Sequence, residues 1–241
     1  MIDLGLIWTL VAMGAVVWAF GRISDPVTLE RGSLVDAMWL PLLVGAAVAR
    51  FVYLLLTGAL VSTGIGGFLL VRNGVSFWPG LIAGCAAVIV AARRDRVDPW
   101  MRVADLAPVA LAGYGAFEAT CILRDGCYGP VSVVGLIPSG LSQPQFPVGI
   151  VVGGAAVASA VVLERWWALR PRTVVLAALG SVAGLRWITW FVLPRAPGTG
   201  AGVQWTNTVV LVGVGLAHAV ISFRRLASNR SALGAQGDEP T

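Results

Sequence analysis

The sequence predicts an all-α, polytopic integral membrane protein, and three observations lead to this fold class. The chain has 241 residues, of which 57% are hydrophobic and only 12% are charged. A soluble domain carries about twice that share of charge. The mean hydropathy is +0.83, and apolar runs recur at close to the roughly 20 residues that a helix needs to cross a bilayer. We therefore expect a bundle of seven transmembrane helices.

The first apolar run, residues 4–20, has a length that a secretory signal peptide could also have. It lacks a basic leader, since Asp3 is its only early charge, and no small-residue cleavage site follows it cleanly. We interpret it as a retained helix. The other predicted spans follow in chain order, separated by segments that carry arginine: 35–62, 74–92, 103–121, 146–167, 173–193 and 205–223.

The arginines predict the orientation of the helices. With the N-terminus outside, three segments face outward and hold Arg72, Arg124 and Arg195. The cytoplasmic segments then hold all the others outside the spans: Arg22, Arg31, Arg93, Arg94, Arg96, Arg102, Arg165, Arg170, Arg172, Arg224, Arg225 and Arg230. Basic residues concentrate in cytoplasmic loops, so the N-terminus is predicted outside and the C-terminus inside. Residues 1–225 form one transmembrane domain, and 226–241 form a polar cytoplasmic tail that we expect to be disordered.

The charge of the chain identifies the membrane, and not a nucleic acid, as the expected partner. All 17 basic residues are arginine, and the formal net charge is +5. In a polytopic protein this excess is explained by the cytoplasmic loops. The sequence therefore predicts a multi-pass protein of the cell membrane.

The stretch FEATCILRDGCYGP, residues 117–130, places polar chemistry at the outer end of the fourth predicted span. Trp78 begins the third span at the same side. Arg186 lies about 20 Å along the sixth span from its inner end, at 1.5 Å per residue, and so falls in the outer half. An ionisable residue within a span is a functional candidate, because burying it in lipid is costly. Glu118 and Arg186 either form a catalytic or binding site, or pair only to hold two helices together.

The remaining candidates each have a structural interpretation as well. Cys121 and Cys127 lack the spacing and the histidine partners of a zinc site, and no metal or other cofactor is predicted. In an oxidising compartment they are expected to form a disulfide; the alternative is a reactive thiol activated by Arg124. Arg50 is interpreted as a brace within the bundle, and Asp105 as a charge at a helix start. Trp78 is a candidate for the interfacial aromatic belt.

Five segments together resemble the prolipoprotein diacylglyceryl transferase family. The order and spacing of these segments carry the resemblance, which extends over most of the chain. They are VDAMWLPLLVGAAVARFVYLL (35–55), NGVSFWPGLIAG (73–84), ADLAPVALAGYGAFEATCILRDGCYG (104–129), SQPQFP (142–147) and GLRWITWFVLPR (184–195).

The resemblance implies a reaction. Enzymes of this family have seven spans and transfer a diacylglyceryl group from phosphatidylglycerol to the cysteine thiol of a lipoprotein signal peptide. By this resemblance the chain binds a phosphatidylglycerol-like phospholipid and a thiol-bearing peptide or small acceptor. Taken together with the placement of the polar residues, the candidate catalytic residues are Glu118, Arg186, Cys121 and Cys127. The candidate lipid-binding residues are Arg186, Arg50, Trp78, Tyr128 and Gly129.

The chain also departs from the family pattern, and the departures point to an altered donor or acceptor. Trp78 stands at the position of the family's histidine, Glu118 at that of an arginine, and Cys121 at that of an asparagine. Gly126 and Trp190 replace acidic residues. The residues that match are Arg50, Asp105, Gly129 and Arg186.

Three functions follow from these observations. The first is a transferase acting on a lipid headgroup at the outer leaflet, in which Arg186 stabilises the departing phosphate and Glu118 serves as base. The second is a thiol redox or thiol-handling membrane protein that uses Cys121 and Cys127. The third is a non-catalytic lipid-binding or transport scaffold with the same fold.

The predicted orientation can be tested by cysteine labelling in sealed cells. A cysteine introduced into 195–204, as in Thr199→Cys, should react with a membrane-impermeant maleimide added from outside. A cysteine introduced into 93–102, as in Arg96→Cys, should react only after the membrane is opened. The reverse pattern would contradict the arginine argument and would move Glu118 and Arg186 to the cytoplasmic side.

Overall fold

The computed structural model describes residues 4–30, 33–60, 74–124, 126–138, 140–166, 171–193 and 202–236. The protein is 79% helical, which confirms the all-α class. Within the described residues there are seven helices of 18 residues or more. They are α1 Leu4–Ile23, α2 Leu34–Leu56, α3 Phe77–Arg94, α4 Pro99–Ala119, α5 Val148–Trp166, α6 Pro171–Val192 and α7 Gly202–Gln236.

Six of these helices, α2 to α7, are long and apolar enough to cross a membrane within the part of the chain that the structure describes. The apolar segment of α1, Ile7–Ile23, is shorter than the other six. These helices support a membrane protein. α7 continues to Gln236 and so includes residues 226–236 of the predicted polar tail, where we expected disorder.

α4 is the central helix of the bundle and packs against α1, α3, α5 and α6. Its buried residues lie on all sides of the helix rather than along one stripe, as expected for a helix surrounded by others. They include Leu106, Val109, Leu111, Ala112 and Ala116. Each end of α4 carries a carboxylate, Asp105 at one and Glu118 at the other, and we name the two ends of the bundle after them.

Small residues bring neighbouring helix backbones close together, as is common where helices pack in membranes. A Cβ added to Gly115 of α4 would lie 2.7 Å from the carbonyl oxygen of Gly153 in α5. Between α2 and α3, a Cβ added to Gly80 would lie 2.7 Å from the Cβ of Ala49. Both crossings therefore leave no room for a larger side chain at the contact.

Asp105 is more than the helix-start charge that the sequence suggested. Its side chain is 2% exposed and accepts hydrogen bonds from the backbone N–H groups of Val27, at 3.0 Å, and Thr28, at 2.8 Å. The hydroxyl of Thr28 donates to it as well. Arg102 donates to the Thr28 carbonyl oxygen at 3.2 Å and pairs with Asp95 at 3.1 Å. This network ties the connection after α1 to the start of α4.

The connection between α4 and α5 is the least helical part of the described chain. A 3-10 turn, Thr120–Arg124, follows α4, and β1 spans Val131–Leu136. Gln145 forms antiparallel bridges to both Val131 and Leu136. Val131 and Leu136 are five positions apart and both pair with Gln145. The residues between them therefore bulge away from Gln145.

The contact between α4 and α5 generates a stability prediction with a neighbouring control. A Cβ at Gly153 would lie 2.7 Å from the Cβ of Ala119. We expect Gly153→Ala to separate the helices at a cost of about 1–3 kcal/mol, as overpacking does, and to lower the melting temperature by several degrees.

Gly154→Ala is the matched control, because a Cβ at Gly154 meets no atom within 4 Å. It should leave the melting temperature unchanged or raise it slightly through the better helix propensity of alanine. Thermal unfolding of the purified protein, followed by fluorescence, measures both. Equal effects of the two variants would contradict the packing of α4 against α5.

Candidate functional site

The Glu118 end of the bundle contains an ion pair between two helices. Nη1 of Arg186, on α6, lies 3.9 Å from Oε1 of Glu118, in the last turn of α4. Their side chains are 25% and 15% exposed. A charge-assisted hydrogen bond between such groups is normally about 2.7–2.9 Å long, so this pair interacts through charge without a hydrogen bond at that contact. The structure thus brings together the two ionisable residues on which the sequence analysis concentrated.

Aromatic rings line one side of this pair. The guanidinium carbon of Arg186 lies 4.3 Å from the ring centroid of Phe77, at the start of α3. The ring of Phe77 is 5.6 Å from that of Tyr114, one turn before Glu118 on α4. Tyr114 also interacts with both Glu118 and Arg186. A cation over a ring face is attracted to the ring and is partly shielded from water.

Arg186 has an N–H donor that is not hydrogen-bonded to any described residue. Its Nε is buried and has no hydrogen-bond partner among those residues. A guanidinium presents five N–H donors in a planar fork, and burying a polar group without a partner is costly. An arginine held in this way favours an additional acceptor in the site.

Trp78 joins two helices through its side chain. Its indole N–H donates to Oδ1 of Asn207 on α7 at 2.9 Å, and Asn207 is 1% exposed. This bond ties α3 to α7 immediately beside Phe77. Gln204, three residues before Asn207, has a buried Oε1 without a hydrogen-bond partner among the described residues.

Asn207 and Gln204 were missed by the sequence analysis. The available signal was their spacing of three residues in an otherwise apolar helix, which places both on one face. Two amide side chains on the same face of a membrane helix are candidates for helix contacts or for a polar site.

Cys121 and Cys127 form the disulfide expected from the sequence, with Cα atoms 5.7 Å apart. Sγ of Cys127 lies 3.9 Å from Oε2 of Glu118. A disulfide sulfur has no proton to donate, so this contact is packing and not a hydrogen bond. Cys85 is a free cysteine on α3. The disulfide joins the 3-10 turn after α4 to the following loop and holds that loop against Glu118.

Tyr128 and Gly129 make contacts within the connection between α4 and α5. The Tyr128 hydroxyl donates to the carbonyl oxygen of Ile122 at 3.4 Å. The backbone N–H of Gly129 donates to the carbonyl oxygen of Phe146 at 2.8 Å. A Cβ at Gly129 would lie 2.7 Å from Cγ2 of Val148. Only glycine fits at this position without moving the start of α5.

Arg50 braces the segment that leads into α3. It is 6% exposed and donates from Nη1 to the carbonyl oxygen of Gly74 at 3.0 Å. Its guanidinium also lies 5.7 Å from the ring centroid of Tyr53. The N–H of Ser76 adds a bond to the carbonyl oxygen of Ala49 at 3.0 Å. These bonds fix the chain directly before Phe77.

The structure also has a groove away from the ion pair, and the described residues can be searched for a metal site. Leu40, Val44, Ala87, Val90 and Ala91 line an apolar groove between α2 and α3, next to Arg94 and Asp95 at the opposite end of α3 from Trp78. Among the described residues there is no group of three or more His, Cys, Asp or Glu side chains suited to a metal ion. The polar groups described around the ion pair are therefore the Arg186 guanidinium, the Glu118 carboxylate and the Tyr114 phenol, with the amides of Asn207 and Gln204 on α7.

Comparison with known proteins does not identify a family. No protein-family model matches the chain, and no curated protein matches it.

Proposed function

We propose that the protein is a membrane-embedded transferase that acts on the headgroup of an anionic phospholipid, with Arg186 as the headgroup anchor. The observation that carries this proposal is the loose ion pair at the Glu118 end. Arg186 lies at 3.9 Å from Glu118, its one carboxylate partner among the described residues, and its buried Nε has no hydrogen-bond partner among those residues. A phosphodiester would supply close, negatively charged acceptors for this guanidinium.

The surroundings of Arg186 suit an anion that comes from the lipid phase. Phe77 lies under the guanidinium at 4.3 Å and keeps water from one side of it. Electrostatic attraction between Arg186 and a phosphate is stronger in such a partly desolvated site than in water. Glu118, on the other side, keeps the site close to neutral when no anion is bound.

Glu118 has a second role in the proposed reaction. Its carboxylate accepts the proton of an acceptor thiol, whose sulfur then attacks the terminal glycerol carbon of the lipid. The bond between that carbon and the phosphate oxygen breaks, and the phosphate-bearing group leaves with both electrons. Arg186 stabilises the negative charge of the leaving group. Proton transfer by a positioned side chain and charge stabilisation by a fixed cation are the two contributions the site can make.

The proposal places the site at the outer leaflet of the cell membrane. The support is the distribution of arginine, with twelve in the segments assigned to the cytoplasm and Arg72, Arg124 and Arg195 in those assigned to the exterior. With α1 counted as a span, the chain crosses the membrane seven times, with its N-terminus outside and its C-terminus inside. The pattern of motifs that resembles prolipoprotein diacylglyceryl transferases agrees with this arrangement.

A thiol redox function is the second candidate, and the contact between the disulfide and Glu118 favours it. Cys127 Sγ lies 3.9 Å from a carboxylate that could remove a proton from the reduced thiol. In that case the disulfide is the reactive group and Arg186 only holds Glu118. A lipid-binding scaffold without catalysis would use Arg186 in the same way as the transferase but would form no product.

Binding of phosphatidylglycerol to the purified protein tests the role of Arg186. We expect Arg186→Gln to weaken binding about ten- to a hundredfold, because a hydrogen bond to a charged group contributes about 1.5–3 kcal/mol. Arg94→Gln is the matched control, since it removes the same charge at the Asp105 end and should leave binding unchanged. Native mass spectrometry counts the bound lipid in each variant.

The same variants separate the three functions when transfer from radiolabelled phosphatidylglycerol to a thiol peptide is also measured. A transferase loses product in Arg186→Gln and in Glu118→Gln, but retains it when Cys121 and Cys127 are both replaced by serine. A scaffold binds lipid and forms no product. Unchanged lipid binding in Arg186→Gln would overturn the proposal.

A further inference from the structure

The connection between α4 and α5 exposes an unusually apolar tip. Val133 is 102% exposed, Val134 is 77% exposed and Ile137 is 64% exposed. A side chain with such an exposure touches almost nothing else in the protein. We call residues 131–138 the apolar loop. Contiguous exposed apolar surface marks a place where a protein meets another molecule or a membrane.

The backbone of the apolar loop holds this tip away from the rest of the molecule. Gln145 pairs with Val131 on one side and with Leu136 on the other. The N–H of Ser132 donates to the carbonyl oxygen of Pro144 at 3.0 Å, and the N–H of Phe146 donates to that of Pro130 at 3.0 Å. The base of the loop is therefore fixed, and Val133 and Val134 lie at the top of the bulge between the two pairings.

The apolar loop leads into a helix suited to cross a membrane, with no charged residue between them. The sequence has no charged residue from 126 to 163, which covers the connection from Gly126 onward and most of α5. α5 is one of the helices suited to cross a membrane, and Val151 near its start is 52% exposed. Charged residues, which would hold a segment in water, are therefore absent between the apolar loop and the first turns of α5.

We infer that the apolar loop inserts its tip into the bilayer leaflet at the Glu118 end of the bundle, with lipid as its partner. Val133, Val134 and Ile137 reach the acyl chains, while the base of the loop stays at the level of the headgroups. The inference is independent of the transferase proposal, because it depends only on the loop and on α5.

The depth of insertion is limited by the backbone. Unpaired backbone N–H and C=O groups cannot enter hydrocarbon without a large cost. Proline at 130 and 138 removes two of the donors from this segment, and the bridges to Gln145 occupy others. The remaining polar groups of the bulge require water or headgroups. The loop therefore lies in the interfacial region, where apolar side chains are buried about 5–10 Å below the surface.

Lipid explains the exposure better than an extended peptide that adds to β1. A peptide at a strand edge would hydrogen-bond along that edge and cover one side of the loop. Val133 is exposed on all sides, as expected for a side chain surrounded by lipid acyl chains rather than covered on one side by a peptide. The sequence also offers no charge between 126 and 147 with which to select or orient a peptide.

Spin labels at single cysteines test the inference. The labels are placed by Val133→Cys, Val134→Cys or Ile137→Cys in a chain that carries Cys85→Ser and keeps the Cys121–Cys127 disulfide. Gln143→Cys is the matched control, because Gln143 is an exposed polar residue on the returning segment of the same connection. The protein is reconstituted into vesicles of phosphatidylethanolamine and phosphatidylglycerol. Collisions with oxygen, which concentrates in lipid, are compared with collisions with a water-soluble nickel chelate.

Labels at 133, 134 and 137 should collide more with oxygen than with the nickel chelate, and the label at 143 should show the opposite preference. If the labels at the tip collide with the nickel chelate as often as the label at 143, the loop lies in water and the inference is wrong. Tip labels that are reached by the chelate in vesicles, but are protected after an apolar peptide is added, would overturn it in favour of peptide binding. Since these side chains are exposed, substitution should not disturb folding, and the retained disulfide verifies this in each variant.

Discussion

An arginine within an apolar helix bundle requires a counter-charge, and this requirement organises the Glu118 end of the protein. Arg186 on α6 has Glu118 on α4 at 3.9 Å and the ring of Phe77 on α3 at 4.3 Å. Trp78, the next residue on α3, continues the contact to α7 through Asn207. Three helices thus meet at this cation, and α7 is joined to them through Trp78. The disulfide, the brace formed by Arg50 and the fixed loop at Gly129 all hold the segments that carry these side chains.

The two ends of α4 differ in how closely their carboxylates are hydrogen-bonded. Asp105 is nearly fully buried and accepts two backbone N–H groups at 3.0 and 2.8 Å as well as the hydroxyl of Thr28. Such a carboxylate fixes the connection after α1. Arg186 contacts its carboxylate partner only at 3.9 Å and retains a buried Nε without a partner among the described residues. The long contact to Glu118 is therefore the feature of Arg186 on which the proposed anion site depends.

The helices could be predicted from the sequence, because the length of an apolar run is a local property. The predicted spans agree with the observed helices to within a few residues for most elements, and the pairing of Cys121 with Cys127 followed from a short separation. Contacts between distant segments could not be predicted in the same way. Asp105 looked like a helix-start charge because its partners, Val27 and Thr28, lie far away in the sequence. The bond between Trp78 and Asn207 could not be predicted, because the two residues lie 129 positions apart and a polar residue in an apolar helix does not reveal which helix it contacts.

A structure of the protein determined in a phosphatidylglycerol bilayer would show what completes the coordination of Arg186. We expect a lipid phosphate between α3, α4 and α6, with an oxygen within about 3 Å of the guanidinium and Glu118 to one side. A guanidinium that instead makes two short hydrogen bonds to the Glu118 carboxylate, with no headgroup beside it, would contradict the account and make the pair structural.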